Sequence, residues 1–177
     1  MTGTASPSVP PARSAKEGFL ATYDREHAIT MRVLRSYPPD KLDLKPATMC
    51  KSARELAWVF AIESSLGQMV FQNALASGPP SGGLPVAPGS LEEILTAVEN
   101  GHRDFRAMIA STPDAAMNEK VKFFTAPRTL GDMTRTEFLW FMLHDEIHHR
   151  GQFSIYVRMA GGKVPSIYGP TAEEPWM

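Results

Sequence analysis

The stretch Phe138-Leu139-Trp140-Phe141-Met142-Leu143-His144-Asp145-Glu146-Ile147-His148-His149-Arg150-Gly151-Gln152 sets three histidines and two carboxylates into two turns of an otherwise apolar helix. Ionisable groups are costly to bury unless something binds them, so the cluster marks a candidate site and its helix marks the fold. At about 100° per residue, Phe138, Met142, Phe153 and Tyr156 carry the apolar stripe, with Phe141 and Met159 beside them. Asp145 and His149 fall near the centre of that stripe, four residues apart, where side chains meet on one turn. His144 and His148 have the same spacing but fall towards the edge, a second candidate pair. Trp140, Leu143, Ile147 and Val157 occupy other faces, an apolar excess that predicts a second buried surface such as a dimer interface.

Three further helical patterns precede this one. The first spans about 15–36 and stops before Pro38-Pro39, which cannot continue a helix. The second opens at Ser52, an N-cap with Glu55 three residues on, and runs into the mid-70s. The third opens at Ser90 with Glu93 in the same relation and ends before Pro113. The fourth starts at Thr134 or Thr136 and reaches Ala160, before Gly161-Gly162. Nothing reads as a strand-rich region or an internal repeat. These patterns predict an all-α fold, a four-helix bundle. The Pro- and Gly-rich linker from Ser77 to Ser90 is long enough to cross a bundle end to end, so helices 2 and 3 are expected to run parallel. Residues 1–14, rich in Ser, Thr, Pro and Ala, are expected to be disordered, leaving one domain over 15–177 with an irregular tail from Lys163.

Composition narrows the function classes. A length of 177 residues, 43% hydrophobic and 21% charged, suits a single globular domain. The formal net charge of -1, without a Lys or Arg run, gives no footprint for nucleic acid. No apolar stretch approaches the ~20 residues of a membrane span. No basic start followed by an apolar core is evident at the N-terminus, so a cytoplasmic location is expected. The single Cys50 excludes an internal disulfide framework and reads as a bystander.

Each helix points at least one ionisable group inward: His27 beside Tyr23 and Met31, Glu63 beside Phe60 and Val70, His102 beside Val98 and Phe105, then Asp145 and His149. Each lies ~12–20 Å from a helix end, so all five are able to share one level near mid-bundle. His102 reads as a core histidine bonded to a neighbour, and Glu63 is able to pair with a histidine. Imidazole nitrogen and carboxylate oxygen together suit a borderline divalent ion such as zinc, nickel, iron or manganese. Three ligands with an open position form the catalytic type of site, and a nearby unligated carboxylate moves the proton.

The run ending His149-Arg150-Gly151-Gln152 resembles the DinB-like superfamily. So do Ser52-Ala53-Arg54-Glu55-Leu56-Ala57-Trp58 and Met159-Ala160-Gly161-Gly162-Lys163-Val164-Pro165, with Ser166-Ile167-Tyr168-Gly169-Pro170. The resemblance covers the chain from about residue 16 onward. It implies a four-helix bundle with a crossover between helices 2 and 3, commonly dimeric. It also implies a divalent metal on three histidines, one from helix 2 and two spaced i, i+4 on helix 4. Characterised relatives include transferases and isomerases that use bacillithiol, mycothiol or glutathione. In this chain the helix-2 histidine falls on Val59 and the first helix-4 histidine on Asp145, while the second matches His149. The missing helix-2 ligand is expected to be replaced by His27, facing the same core, or by Glu63, one turn from Val59; the first-ranked set is His27, Asp145 and His149, with Glu63 as the catalytic carboxylate and zinc or nickel as the leading ions. The implied function is metal-dependent chemistry on a small molecule, namely thiol-dependent S-transfer, in a homodimer. The alternative is a non-catalytic, stress-related or ligand-binding bundle whose metal site is lost.

Overall fold

The computed structural model describes residues 13–78 and 84–177. The disorder expected of residues 1–14 falls mostly outside them, although Ser14 is described and caps the first helix. The α-helices among the described residues are α1 (Ala15–Arg35), α2 (Ala53–Phe71), α3 (Leu91–Ser111) and α4 (Arg135–Met159). All four begin with a capping box: Ser14 with Glu17, Ser52 with Glu55, Ser90 with Glu93, and Thr134 with Glu137. Each box satisfies backbone N–H groups that the first turn leaves unpaired, and it puts an acid at the positive end of the helix. Gly161, at φ 84°, supplies the left-handed residue that ends α4.

α1 packs on α3 and α4, and α2 also packs on α3 and α4, so α1 and α2 lie diagonally across the bundle. Ser64 lies against Gly101 and Phe71 against Phe105, so α2 and α3 run parallel, as the long linker requires. A Cβ on Gly101 would stand 2.7 Å from that of Ser64, so glycine lets these two backbones approach. His149 meets Glu63 and Tyr156 meets Lys51, making α2 and α4 antiparallel.

The expectation of a strictly all-α chain is corrected by an antiparallel hairpin, β1 (Lys120–Ala126) and β2 (Thr129–Thr134). Val121 and Phe123 alternate with Lys120 and Lys122, so one face of the ribbon enters the core while the lysines face water. Phe123 packs edge-on against Phe138 and Phe141, closing one end of the bundle. The turn carries Arg128 at φ 59°. The facing of α4 is also corrected: Leu143 and Val157 are buried, whereas Phe141 and Met159 are about half exposed. α4 lies between two partners, so its core-facing surface is wider than a single stripe.

Two apolar clusters fill the bundle. One gathers Leu34, Leu56, Phe60, Ile94 and Phe153; the other gathers Phe19, Tyr23, Phe105, Val121 and Phe138. Along each helix, polar residues separate the two: Glu26, His27 and Thr30 on α1, Glu63 and Ser64 on α2, His102 on α3, and Glu146, His149 and Arg150 on α4. The inward groups do share one level, as the helix arithmetic allowed.

Arg150 is 1% exposed and Glu26 2% exposed, which makes them the deepest ion pair among the described residues. Arg150 Nη2 donates to Glu26 Oε2 at 2.8 Å, and Nη1 donates to the Glu26 carbonyl at 3.1 Å. The Tyr168 hydroxyl donates to the same carboxylate, and the guanidinium lies 5.2 Å from the centre of its ring. The pair thus ties α1, α4 and the C-terminal tail together. Burial works against the Glu26 carboxylate, but its hydrogen bonds from Tyr168 and Arg150 outweigh this and hold it below the usual range. Removing one member strands a buried charge, so Arg150→Met should cost about 3–5 kcal/mol in urea unfolding. Tyr168→Phe, which removes one hydrogen bond, should cost about 1 kcal/mol.

α1 and α3 meet through His27 and His102, whose rings stack at 3.7 Å and 10°, with the Tyr23 ring on the other side of His102 at 4.3 Å. His102 Nε2 lies 3.2 Å from Asp24 Oδ1, which Arg106 Nε also reaches at 2.8 Å. Burial and the neighbouring His102 depress His27 to about 4, and burial also lowers His102. The unfolded chain therefore takes up protons that the folded chain refuses between pH ~6.5 and ~4. Stability contributed by this contact is intact above that window and falls as pH falls through it. His27→Phe keeps the ring stack, and the acid limb of its stability–pH curve should be shallower than that of the unmodified chain. Equal slopes would show that His27 does not carry the effect.

Candidate metal centre and its cleft

Glu63, Asp145 and His149 each offer one ligand atom, and these atoms all lie within 4.8 Å of one another. Their arrangement follows from local structure. Asp145 and His149 are one turn apart on α4, and antiparallel packing brings Glu63 of α2 opposite them. His149 Nδ1 stands 2.7 Å from Glu63 Oε1 and 3.9 Å from Asp145 Oδ1. The side chains are 11% exposed for Glu63, 21% for His149 and 40% for Asp145, so the site is deepest at Glu63 and opens past Asp145. The Phe60 ring meets His149 edge-on and packs beside it.

Charge and burial set the acid–base character. Burial pushes the Glu63 carboxyl up; the hydrogen bond from His149 opposes that shift, and nearby Asp145 reinforces it. His149 is held above its ordinary value, first by its hydrogen bond to Glu63. The hydrogen bond between Nδ1 and Oε1 thus accounts for the rise at His149, whereas the rise at Glu63 comes from burial. The second Glu63 oxygen, Oε2, is buried without a hydrogen-bond partner. Two carboxylates and an imidazole thus converge with an unsatisfied oxygen among them. That donor set fits a small divalent cation, which would take the place of the proton between Nδ1 and Oε1.

The centre forms the inner wall of a cleft of about 810 Å³. Val59, Trp58 and Ile62 of α2 make one side, and Leu84, Pro85 and Val86 of the linker make the other. The linker is held there by hydrogen bonds: Trp58 Nε1 donates to the Pro85 carbonyl at 2.9 Å, and Arg54 Nη1 to that of Gly89 at 2.9 Å. Glu63 also borders a small pocket of about 20 Å³, lined by Tyr23, Ser64 and Glu146. Glu146 accepts from Thr30 Oγ1 at 2.8 Å, and burial pushes its carboxyl up to about 7.

Of the residues singled out in the sequence, Glu63, Asp145 and His149 come together. His27 does not join them; it is packed on His102 at the α1–α3 contact, so of the two replacements expected for the missing α2 ligand, Glu63 is the one beside Asp145 and His149. His144 and His148 are exposed on the outer face of α4, and Gln152 Nε2 lies 2.9 Å from His148 Nε2. Val59 lines the cleft one turn from Glu63, close to the centre but without a ligand atom. Cys50 lines a neighbouring groove with His149 and Tyr156. Sequence reasoning missed Glu26, Glu146 and Arg150. Glu26 directly precedes the inward His27, and Glu146 and Arg150 directly follow Asp145 and His149, so the signal was present in a helix buried on more than one face.

Among the described residues no helix is long and apolar enough to cross a membrane. The chain is 26% identical over 157 residues to the uncharacterized protein YrdA of Bacillus subtilis, an alignment covering 88% of this chain and 89% of that protein. In solved structures, a DinB-like protein from Bacillus cereus superposes with a TM-score of 0.69 at 23% identity, over 86% of this chain and 97% of that one. The DinB-like protein YjoA from Bacillus subtilis superposes with a TM-score of 0.66 at 16% identity, over 90% and 99% of the two chains. These likenesses establish the shared fold. The model of the DinB family matches residues 85–176, which include Pro85 and Val86 of the linker wall, all of α4 and most of the tail. On that match and this fold, the chain belongs to the DinB family.

Proposed function

We propose that the cleft is a divalent-metal-dependent active site acting on a small molecule, with Glu63, Asp145 and His149 as the ligands. The observation that carries this reading is the convergence of their three ligand atoms within 4.8 Å on the wall of an 810 Å³ cleft. Glu63 replaces the α2 histidine that the family resemblance seeks at Val59, one turn away on the same side of α2. The finer assignment, group transfer to or from a low-molecular-weight thiol, rests on the resemblance to thiol-dependent relatives. A divalent ion bound there would lower the pKa of a thiol or water placed in its open position.

The chain's own residues do the rest. Asp145, the most exposed of the three, stands at the entrance, and Glu63 stands deepest. Phe60 at the ring of His149 and the apolar walls at Trp58 and Ile62 exclude water and strengthen electrostatic interactions at the centre. With one Glu63 oxygen on the ion, the other would remain to accept the proton that an incoming thiol gives up, since Oε2 has no hydrogen-bond partner. A non-catalytic binding bundle is the second reading. It is favoured by the 2.7 Å Glu63–His149 hydrogen bond, which already satisfies His149 without an ion.

Untagged protein titrated with zinc or nickel against a chromophoric chelator should bind one ion per chain. Binding should release protons and weaken as pH falls, because His149 must give up its raised-affinity proton to ligate. His149→Ala and Asp145→Asn should each weaken binding by at least about tenfold, as a lost ligand does. Val59→His should tighten it. A folded chain indifferent to both metals, or one whose affinity ignores these substitutions, supports the non-catalytic reading.

A further inference from the structure

The charged residues around the cleft are paired unequally. Arg54 is held by Asp43 at 2.8 Å and by linker carbonyls, so its charge is spent on the wall. The Glu55 carboxylate accepts from the Ser52 backbone N–H at 2.6 Å in the cap of α2, and lies 3.9 Å from Lys45. Glu63 and His149 are paired with each other. Lys51 lines the same cleft, is exposed, and has no carboxylate within ion-pair distance among the described residues. Its backbone is fixed, since the Tyr156 hydroxyl donates to the Lys51 carbonyl at 3.0 Å. Tyr156 is two turns beyond His149 on α4, about 10 Å along the helix axis. Between the two levels the cleft is walled by Trp58, Val59 and the linker residues Pro85 and Val86.

We propose that the cleft selects small molecules with an apolar body, one end that meets Glu63, Asp145 and His149, and a carboxylate that reaches Lys51 further along the same cleft. This rests on the reading of those three residues as the reactive end. The chemistry at the two ends is complementary. A divalent ion at the centre would balance Glu63 and Asp145, and of the other carboxylates lining the cleft Asp43 is paired with Arg54 while Glu55 accepts from the Ser52 backbone, so repulsion of an anion near Lys51 is reduced. A lone ammonium at the rim discriminates between anionic and cationic tails, while the Trp58 side of the cleft takes hydrocarbon irrespective of charge. Val86, 92% exposed, and Leu84, 75% exposed, are apolar linker side chains that such a body would cover.

The test uses octanoate, octanol and octylamine, titrated calorimetrically into the full chain with and without zinc, alongside Lys51→Met and Lys51→Glu. Lys51 is exposed, and circular dichroism checks that both variants fold. Octanoate should bind about tenfold more tightly than octanol, the value of one charge-assisted contact at a partly wet rim, and octylamine should bind most weakly. Lys51→Met should erase the octanoate preference with zinc stoichiometry unchanged, and Lys51→Glu should turn it towards octylamine. Equal binding of the three, or an octanoate preference that survives Lys51→Met because the carboxylate sits on the ion, overturns the proposal. A Lys51-dependent preference in protein that takes up no zinc retains this inference and removes the metal reading. Zinc uptake without the preference does the reverse.

Discussion

The buried pair of Arg150 with Glu26 is the constraint on which the rest of this structure depends. A guanidinium and a carboxylate, both almost without exposure, have to be met by hydrogen bonds, and here they are, from each other, from Tyr168 and Thr30, and from the Glu26 carbonyl. The contact leaves little freedom for the rotation of α4 against α1. Successive helix residues point about 100° apart, so fixing Arg150 towards α1 turns the preceding residue, His149, towards α2 and Glu63. Tyr168 adds the C-terminal tail to the same anchor. The geometry of the candidate centre is thus set by a neighbouring interaction with no ligand of its own.

The bundle departs from the simplest packing by dividing its core. Two apolar clusters are separated by a layer holding Glu26, Thr30, Glu63, Glu146, His149 and Arg150. Most of that layer is satisfied internally, as burial demands. The exceptions are informative. His102 Nδ1 and Glu63 Oε2 are the buried side-chain atoms left without partners among the described residues. The first belongs to the stacked pair joining α1 to α3. The second belongs to the group facing the cleft, where an unsatisfied acceptor costs stability unless a cation or a proton meets it. The parallel run of α2 and α3 has its own consequence. It requires a crossover linker, and that linker, hydrogen-bonded to Trp58 and Arg54, becomes the outer wall of the cleft.

Much of this was legible in the sequence. The capping residues Ser52, Ser90 and Thr134 began helices where expected, the crossover was implied by its length, and helical facing selected Asp145, His149 and Glu63 over the conspicuous His144 and His148. Facing could not assign His27, because a helical wheel shows only that a residue points inward, not towards which neighbour. His27 turns to α3 and stacks on His102, while Glu63 turns to α4. The stripe model also failed on α4, which is buried on more than one side and so hides Arg150 and Glu146 among apolar residues. The hairpin was missed although Lys120-Val121-Lys122-Phe123 alternates plainly; its two short strands gain their core contacts from helix ends distant in sequence.

The most direct test is an anomalous-difference map from a crystal of untagged protein grown with zinc, recorded on both sides of the zinc edge. The account predicts one strong peak bounded by Glu63, Asp145 and His149, at the inner end of the cleft beside Val59. A peak only at His144 and His148 on the outer face of α4, or no peak while the Glu63–His149 hydrogen bond persists, would contradict it.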